Sequence, residues 1–367
     1  SHSSKEKPMF KLFSRRRKAE REIAPQLTTY ERRALEIPGA PPGPYSLATY
    51  DLMERDSMIQ TALTIKKLAV MAENWTVEPA DGSSEAKERA DFVLAAFDRM
   101  EGAASTILHQ AMDAFAKGWS IQELVYSNEN GRVCLEAVRP KNPGLFGLEV
   151  NAFGKVSGLR LQIPGEAEES LPREKFVVFT HRSGYGRAKG KSDLDSAYPH
   201  WKAKQTLLNA WRIHLERYAS PTVLGRYQRG LSAEEQGEII GALRNLQDNT
   251  AIVFPNEIEI ATLGGSRDGS TGFMEAIEFH NREIARAILG QTLTTDEGRR
   301  VGSLALGKVH LQVLLLQIQA LRKELADSVM TEQVIRPLVE MNFGPGLVPK
   351  FTFAQGSLDA FSKGTLA

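Results

Sequence analysis

The stretch KFVVFTHRSGYGRAKGKSDL, from Lys175, is where the chain most invites a chemical reading. An apolar run leads into a glycine-rich loop ending Gly190-Lys191-Ser192, and a helix-forming segment follows. In P-loop nucleotide hydrolases this context holds phosphate, because loop amides and a lysine converge on its oxygens. The pattern needs a glycine five residues before Gly190. That position is Tyr185, and Gly184 and Gly186 each miss by one. Loop length cannot be traded, since every amide must point at an oxygen, and no apolar strand ends in a magnesium-holding aspartate. A hydrolase using Lys191 and Ser192 is the enzymatic alternative; a basic surface loop is the favoured reading.

Other reactive residue types lack the spacing that chemistry needs. The seven histidines form no HxxxH, HExxH or paired Cys/His pattern, so no metal site or cofactor is predicted. There is no GxSxG nucleophile elbow. Asp193/Asp195 and Glu234/Glu235 fall in the first turns of predicted helices, where the dipole favours negative charge. Cys134, the single cysteine, sits in RVCLEAV and reads as a small buried hydrophobe. The expectation is a protein that is not an enzyme.

A second stretch has a different character. GQTLTTDEGRRVGS, from Gly290, lies between two strong helix formers, with Gly290 suited to a C-cap and Ser303 to an N-cap. Asp296 and Glu297 balance Arg299 and Arg300. At about a dozen residues it exceeds the usual interhelical connection, and long loops on rigid helices often carry function. Hydroxyls with balanced charge can touch a phosphate backbone without gripping it, whereas a purely basic loop would bind tightly and salt-dependently.

The elements that position these stretches follow from pattern. With 367 residues, 42% apolar and 25% charged, the chain has length for two or three domains of ordinary composition, and its net charge of +1 gives no overall pull toward nucleic acid. No run of about 18 apolar residues predicts a membrane span. Residues 1–44 are a basic arm, with Arg15-Arg16-Arg17-Lys18 read as a solvated tail, closed by the Pro/Gly-rich IPGAPPGPYSL. Residues 45–191 read as a mixed α+β domain: a helix over 50–71, a strand at NWTVEPA, an amphipathic helix at SSEAKERADFVLAAFDRM and a helix over 104–117. A hairpin turning at SNENGR and further strands at GLEVNAFGKVSGLRLQI and EKFVVFTH complete it.

The second half reads as helices around a small insert. Residues 192–219 form a helix with Trp201, Leu208, Trp211, Leu215 and Tyr218 on one seam, the two tryptophans being packing anchors. Pro199 fits its first turn or a kink. The insert 220–268 has a strand, a helix and a hairpin-like pair of short strands around Pro255-Asn256. The helix at 269–289 carries Phe273, Ile277, Ile284 and Ile288 on its stripe. The last helix, 303–341, keeps a 3-4 spacing through Leu311, Leu314, Ile318, Leu321 and Leu325, and at roughly 37 residues would be about 55 Å long. Helices this long seldom bury their whole surface in one monomer, so copies of the chain are expected to cover Trp201, Leu208, Trp211, Leu215, Phe273, Ile277 and Ile284.

Three stretches together resemble the Mu-like family of tailed-phage portal proteins. They are ERDSMIQTALTIKKLAVMAENWTVEPA, then EKFVVFTHRSGYGRAKGKSDLDSAYPHWKAKQTLLNAWRIHLERYASPTVLGRY, then IARAILGQTLTTDEGRRVGSLALGKVHLQVLLLQIQALRKELADSVMTEQVIRPLVEMNFG. They cover most of residues 50–344 in family order, and ILGQTLTTD…GSLALGKVH is the most distinctive. The resemblance implies an α+β portal fold: wing 45–191, stem helices 192–219 and 269–289, clip 220–268, tunnel loop 290–302, a long helix 303–341 and a crown from 342 to 367. That crown is shorter than is usual in the family, or cut. It implies a ring of typically twelve subunits at a capsid vertex, assembled in the host cytoplasm and carried in the virion. Double-stranded DNA passes through it without sequence readout. The large terminase, capsid or scaffold proteins and head–tail connectors are the implied partners. Gln291, Thr292, Thr294, Thr295, Asp296, Glu297, Arg299 and Arg300 would then face DNA. A ring-forming adaptor without a DNA channel is the non-enzymatic alternative.

Overall fold

The computed structural model describes residues 45–129, 131–151, 155–184, 187–219, 222–226, 230, 232–248, 259–263, 269–291 and 304–354. The chain divides into two compact units. One holds residues 67–192 with the segment from Ile318 onward; the other holds 48–66 with 193–317.

The chain opens with α1 (Leu47–Met53) and α2 (Ser57–Met71). Sequence pattern predicts one helix here, but Asp56 breaks it. Its carboxylate accepts the N–H groups of Met58 at 3.0 Å and Ile59 at 3.4 Å, capping a new helix. β1 (Trp75–Glu78) and α3 (Ser84–Arg99) follow, with Ser83 Oγ accepting from Ala86 N at 3.1 Å as N-cap. The helix expected over 104–117 is two: α4 (Ala104–Ala111) and α5 (Ala114–Lys117).

Two small sheets face each other. β2 (Trp119–Glu129) pairs with β3 (Arg132–Lys141) across a turn where Gly131 adopts φ +78°, the left-handed conformation glycine tolerates. β4 (Phe146–Val150), β5 (Val156–Leu161) and the short β6 (Glu169–Leu171), which periodicity does not reveal, make the second sheet. β7 (Phe176–Thr180) returns to β2, giving the order β3-β2-β7. Trp119, Ile121, Phe176 and Val178 from the first sheet pack against Phe146 and Leu159 of the second. Each is nearly sealed, and burial of one such side chain stabilises by about 1.5–3 kcal/mol.

The other unit contains α6 (Leu194–Ala219), β8 (Thr222–Arg226), α7 (Ala233–Asp248), β9 (Glu259–Leu263) and α8 (Gly269–Leu289). Pro199 is the sixth residue of α6, early enough in the helix that its missing N–H removes a bond near the start and not in the middle. The strand at β9 pairs with β8, Thr222 opposite Leu263, rather than within a hairpin around Pro255-Asn256, and residues 251–258 lie outside those described. α9 (Leu304–Glu324) runs on without interruption into a π-helical stretch, Leu325–Ile335, and α10 (Arg336–Phe343). π geometry usually appears as a single turn; here it lasts eleven residues. β10 (Lys350–Phe353) then pairs with β1, Trp75 opposite Phe353, and Trp75 stacks on Phe351 with centroids 5.1 Å apart. The segment after Asn342, expected to begin a crown, pairs with β1 in a two-stranded sheet as far as Phe353, and residues 355–367 lie outside those described.

Two amide side chains bind backbone groups at the edges of the β3-β2-β7 sheet. At one edge Asn342 accepts from Val133 N at 3.0 Å and donates to Val133 O at 2.9 Å. At the other, Gln333 of the π stretch accepts from Val178 N at 2.8 Å and donates to Val178 O at 3.0 Å. Each amide takes the place a neighbouring strand's peptide would fill. Asn342→Leu strips both bonds from Val133 and is expected to cost about 1–3 kcal/mol. The Val133 amide should then exchange with solvent deuterium faster while the Val178 amide keeps its protection. Cys134, on that same edge strand, is half-buried rather than part of the core. Beside it is a groove lined by Phe92, Arg99, Glu129 and Glu136. Among the described residues no helix is long and apolar enough to cross a membrane.

Candidate functional site

The polar loop hangs from a built base. α8 ends at Leu289, and Gly290 takes φ +72° with its N–H on Arg286 O at 2.9 Å, the cap its sequence predicts. A Cβ there would come within 2.5 Å of Gln317 Nε2, so the end of α8 lies against α9 thirteen residues beyond its start. At 1.5 Å per residue, Leu304 is about 20 Å along the α9 axis from that contact. The chain between Gln291 and Leu304 must cover this distance, which explains why a short connection would not serve.

The base is locked by charge. Lys66 of α2, 3% exposed, donates to Asp193 Oδ2 at 2.5 Å, and Asp193 is fully buried at the start of α6. Lys66 Nζ also lies 3.4 Å from the Ile288 carbonyl in the last turn of α8, where a cation suits the helix dipole. A second buried pair sits about three turns further along α6. Lys204 of α6 donates to Asp56 at 2.8 Å, on the carboxylate that caps α2. Tyr50 Oη donates to Asp195 Oδ1 at 2.5 Å. Sequence reading missed this set because its members are more than a hundred residues apart.

α6 and α8 run antiparallel: His200 meets His280, and His214 meets Phe273 with centroids 5.5 Å apart. Trp201 and Ile284, expected to be covered by other copies, are already buried in the single chain, at 8% and 0% exposure. Trp211, Phe273 and Ile277 are half-buried, and Leu208 and Leu215 are open at 36% and 47%. Met274, Phe279, Val313 and Leu316 are exposed apolar residues that the seam pattern does not single out. Of the loop residues, Gln291 is 2% exposed, so it belongs to the base and is not offered to solvent in this chain. Thr292, Thr294, Thr295, Asp296, Glu297, Arg299 and Arg300 lie outside the described residues.

The glycine-rich loop has no amides to spare for phosphate at its end. Gly190 N–H donates to Arg187 O at 3.0 Å and Lys191 N–H to His181 O at 2.7 Å. Ser192 Oγ, buried, donates to Ala116 O at 2.5 Å. A phosphate cradle needs these groups directed outward. Here they latch the loop to α5 and the end of β7.

His280 makes the α6–α8 contact sensitive to acid. Burial holds the His280 pKa below its usual value, the nearby His200 adds to that depression, and Glu283 opposes it. A depressed folded value means that the separated helices bind the extra proton more readily. The stabilisation is therefore present above the ordinary imidazole range near 6.5 and is lost as pH falls through the lower folded value. Between pH 7.5 and 5, the amides of α8 around His280 should lose protection against hydrogen exchange, and His280→Gln should flatten that dependence.

A family model described as the portal protein of Mu bacteriophage matches residues 47–361. The chain is 26% identical over 300 residues to the portal protein of Escherichia phage Mu, covering 80% of this chain and 56% of that one. It is 24% identical over 325 residues to Mu-like prophage FluMu protein gp29 of Haemophilus influenzae, covering 86% and 61%. It thus spans less than two thirds of the length of these curated relatives. Among solved structures it is similar to a chain in the neck of an empty GTA particle computed with C6 symmetry. There the TM-score is 0.65 at 14% identity, covering 88% of this chain and 89% of that one. A chain in the neck of a native GTA particle computed with C12 symmetry gives a TM-score of 0.63 at 13% identity, covering 89% and 90%.

Proposed function

The chain belongs to the family of Mu bacteriophage portal proteins, and on that premise we propose that it is the subunit of a ring at one capsid vertex. Through the ring, taken as twelve copies, double-stranded DNA enters during packaging and leaves during ejection. The observation that carries the reading is the helical frame around the loop. Leu208, Leu215, Met274, Phe279 and Leu316 are exposed in a single chain, apolar surface that copies of itself would cover. The helices α6 and α8 are the stem in this reading, and 220–268 is the clip. That clip would dock the large terminase and later the head–tail connectors, with scaffold or capsid protein contacting the ring elsewhere.

Loop chemistry suits a sliding duplex. Base readout needs fixed side chains in a groove, on which a translocating duplex would stall. Thr292, Thr294 and Thr295, with Asp296 and Glu297 balanced by Arg299 and Arg300, offer hydroxyls and no net charge. Gln291 and Gly290 then serve as the anchor from which this segment reaches the channel. The ring itself hydrolyses no nucleotide in this reading. The engaged amides at Gly190 and Lys191 support that.

Negatively stained particles of the purified protein, rotationally averaged, test the proposal: closed rings with a wide axial hole are expected. A compact monomer at every concentration, or rings without a hole, would overturn it. Deleting 292–300 should leave the rings intact while DNA packaging or retention fails.

A further inference from the structure

One pair of titratable groups has no part in the proposed function. His200 on α6 and His280 on α8 turn their Nδ1 atoms toward each other at 3.1 Å, with ring centroids 5.4 Å apart and planes at 48°. Two imidazole lone pairs repel at that distance, so a positively charged particle has to lie between them. A proton on one ring meets the need as a hydrogen bond. A metal ion meets it as well. With Zn–N bonds of about 2.1 Å and a tetrahedral angle, two ligating nitrogens are roughly 3.4 Å apart. An opening of about 0.3 Å would turn the hydrogen-bonded pair into a chelate.

The surroundings suit an ion held between the helices. Both rings are half-buried, within reach of a hydrated cation from solvent. The Phe279 ring stands beside both, at 6.1 and 5.2 Å between centroids, and limits how far either imidazole can swing. The start of α6 is pinned by the Lys66–Asp193 and Lys204–Asp56 pairs, so the approach of the two rings is set before any ion arrives. Glu283, one turn beyond His280, is ion-paired with Arg286. Among the described residues no group of three His, Cys, Asp or Glu converges, so water must complete the coordination. Imidazole favours borderline transition ions over Mg2+ or Ca2+.

We propose that His200 and His280 form a two-histidine clamp for a divalent transition ion, Zn2+ above all, that staples α6 to α8. The inference concerns one chain and holds whether or not copies close into a ring.

Calorimetric titration of the metal-stripped protein with ZnCl2 at pH 7.5, in a non-coordinating buffer, tests it. A saturable Zn2+ site and a raised Tm are expected, with MgCl2 giving neither. His200→Gln and His280→Gln should each weaken that site by more than the roughly 10–100-fold that loss of an outer-shell partner costs. His214→Gln, on the same helix, should leave it unchanged. If a variant loses helicity by circular dichroism, the wild-type protein gives a second readout: Zn2+ should protect His200 and His280 from diethyl pyrocarbonate, mapped by mass spectrometry. Absence of Zn2+ binding to the wild type, retention of it in both variants, or modification unaffected by Zn2+ would overturn the clamp and leave a shared proton as the whole account of the pair.

Discussion

Replacing Lys66 with alanine should cost about 3–5 kcal/mol, the loss that follows when one partner of a buried ion pair is removed and the other charge stays behind. Asp193, fully buried, would be left without its cation, and the Ile288 carbonyl would lose a donor at the end of α8. A urea titration followed by circular dichroism should show a lower midpoint for the unit that contains the helix pair. The double variant Lys66→Met/Asp193→Leu should recover most of the loss, because a well-packed apolar pair of similar volume is often neutral or better. Arg212→Ala supplies the contrast. Its pair with Glu216 is exposed, at 63% and 60%, and its removal should stay within about 0.5 kcal/mol. Equal losses in Lys66→Ala and Arg212→Ala would sink the idea that the buried pair locks the loop's base. In the proposed ring, that base is what keeps the polar segment aimed while DNA moves past it.

Gly190→Ala is expected to be as damaging for a different reason. Its φ is +63°, and an added Cβ would lie 2.3 Å from the His181 carbonyl oxygen and 2.4 Å from that of Gly118. Both obstacles are backbone, so no rotamer change relieves them. The left-handed backbone costs roughly 1–2 kcal/mol in a non-glycine residue, and overpacking adds about 1–3. Gly131 has a similar φ, +78°, with nothing near the added carbon. Gly131→Ala should therefore show only the backbone part. Thermal melts of the two variants separate clash from strain; if both lose the same amount, the latch around residues 118, 181 and 190 is looser than described.

What the sequence made legible was local. The stripe in SSEAKERADFVLAAFDRM, the turn at SNENGR and the seams of α6 and α8 each lie within one element, and each predicted its element. The glycine at 290 identified its own cap. Features fixed by distant residues were not legible. Asp56 splits a predicted helix because its carboxylate is held by Lys204, 148 residues away. Val133 and Val178 are completed by Asn342 and Gln333, 209 and 155 residues further on. β10 joins β1 from the far end of the chain. In the candidate site the same division holds. The loop's composition was readable, while its anchors, Lys66 and Asp193, look like ordinary surface charges in a linear reading. A hydrophobic stripe does not say whose surface covers it, so Trp201 and Ile284 read as a contact between copies although both are buried in the single chain.

The amides on the β3-β2-β7 sheet bear on how such a subunit can live beside its own kind. An uncovered strand accepts another strand from any molecule, and the recipient then presents a fresh one, so association of that sort has no natural stopping point. Asn342 and Gln333 fill one position on each margin of that sheet from within the chain. A strand of a second molecule could pair at Val133 or Val178 only by displacing them, so extension at these two points has a cost that a bare edge would not impose.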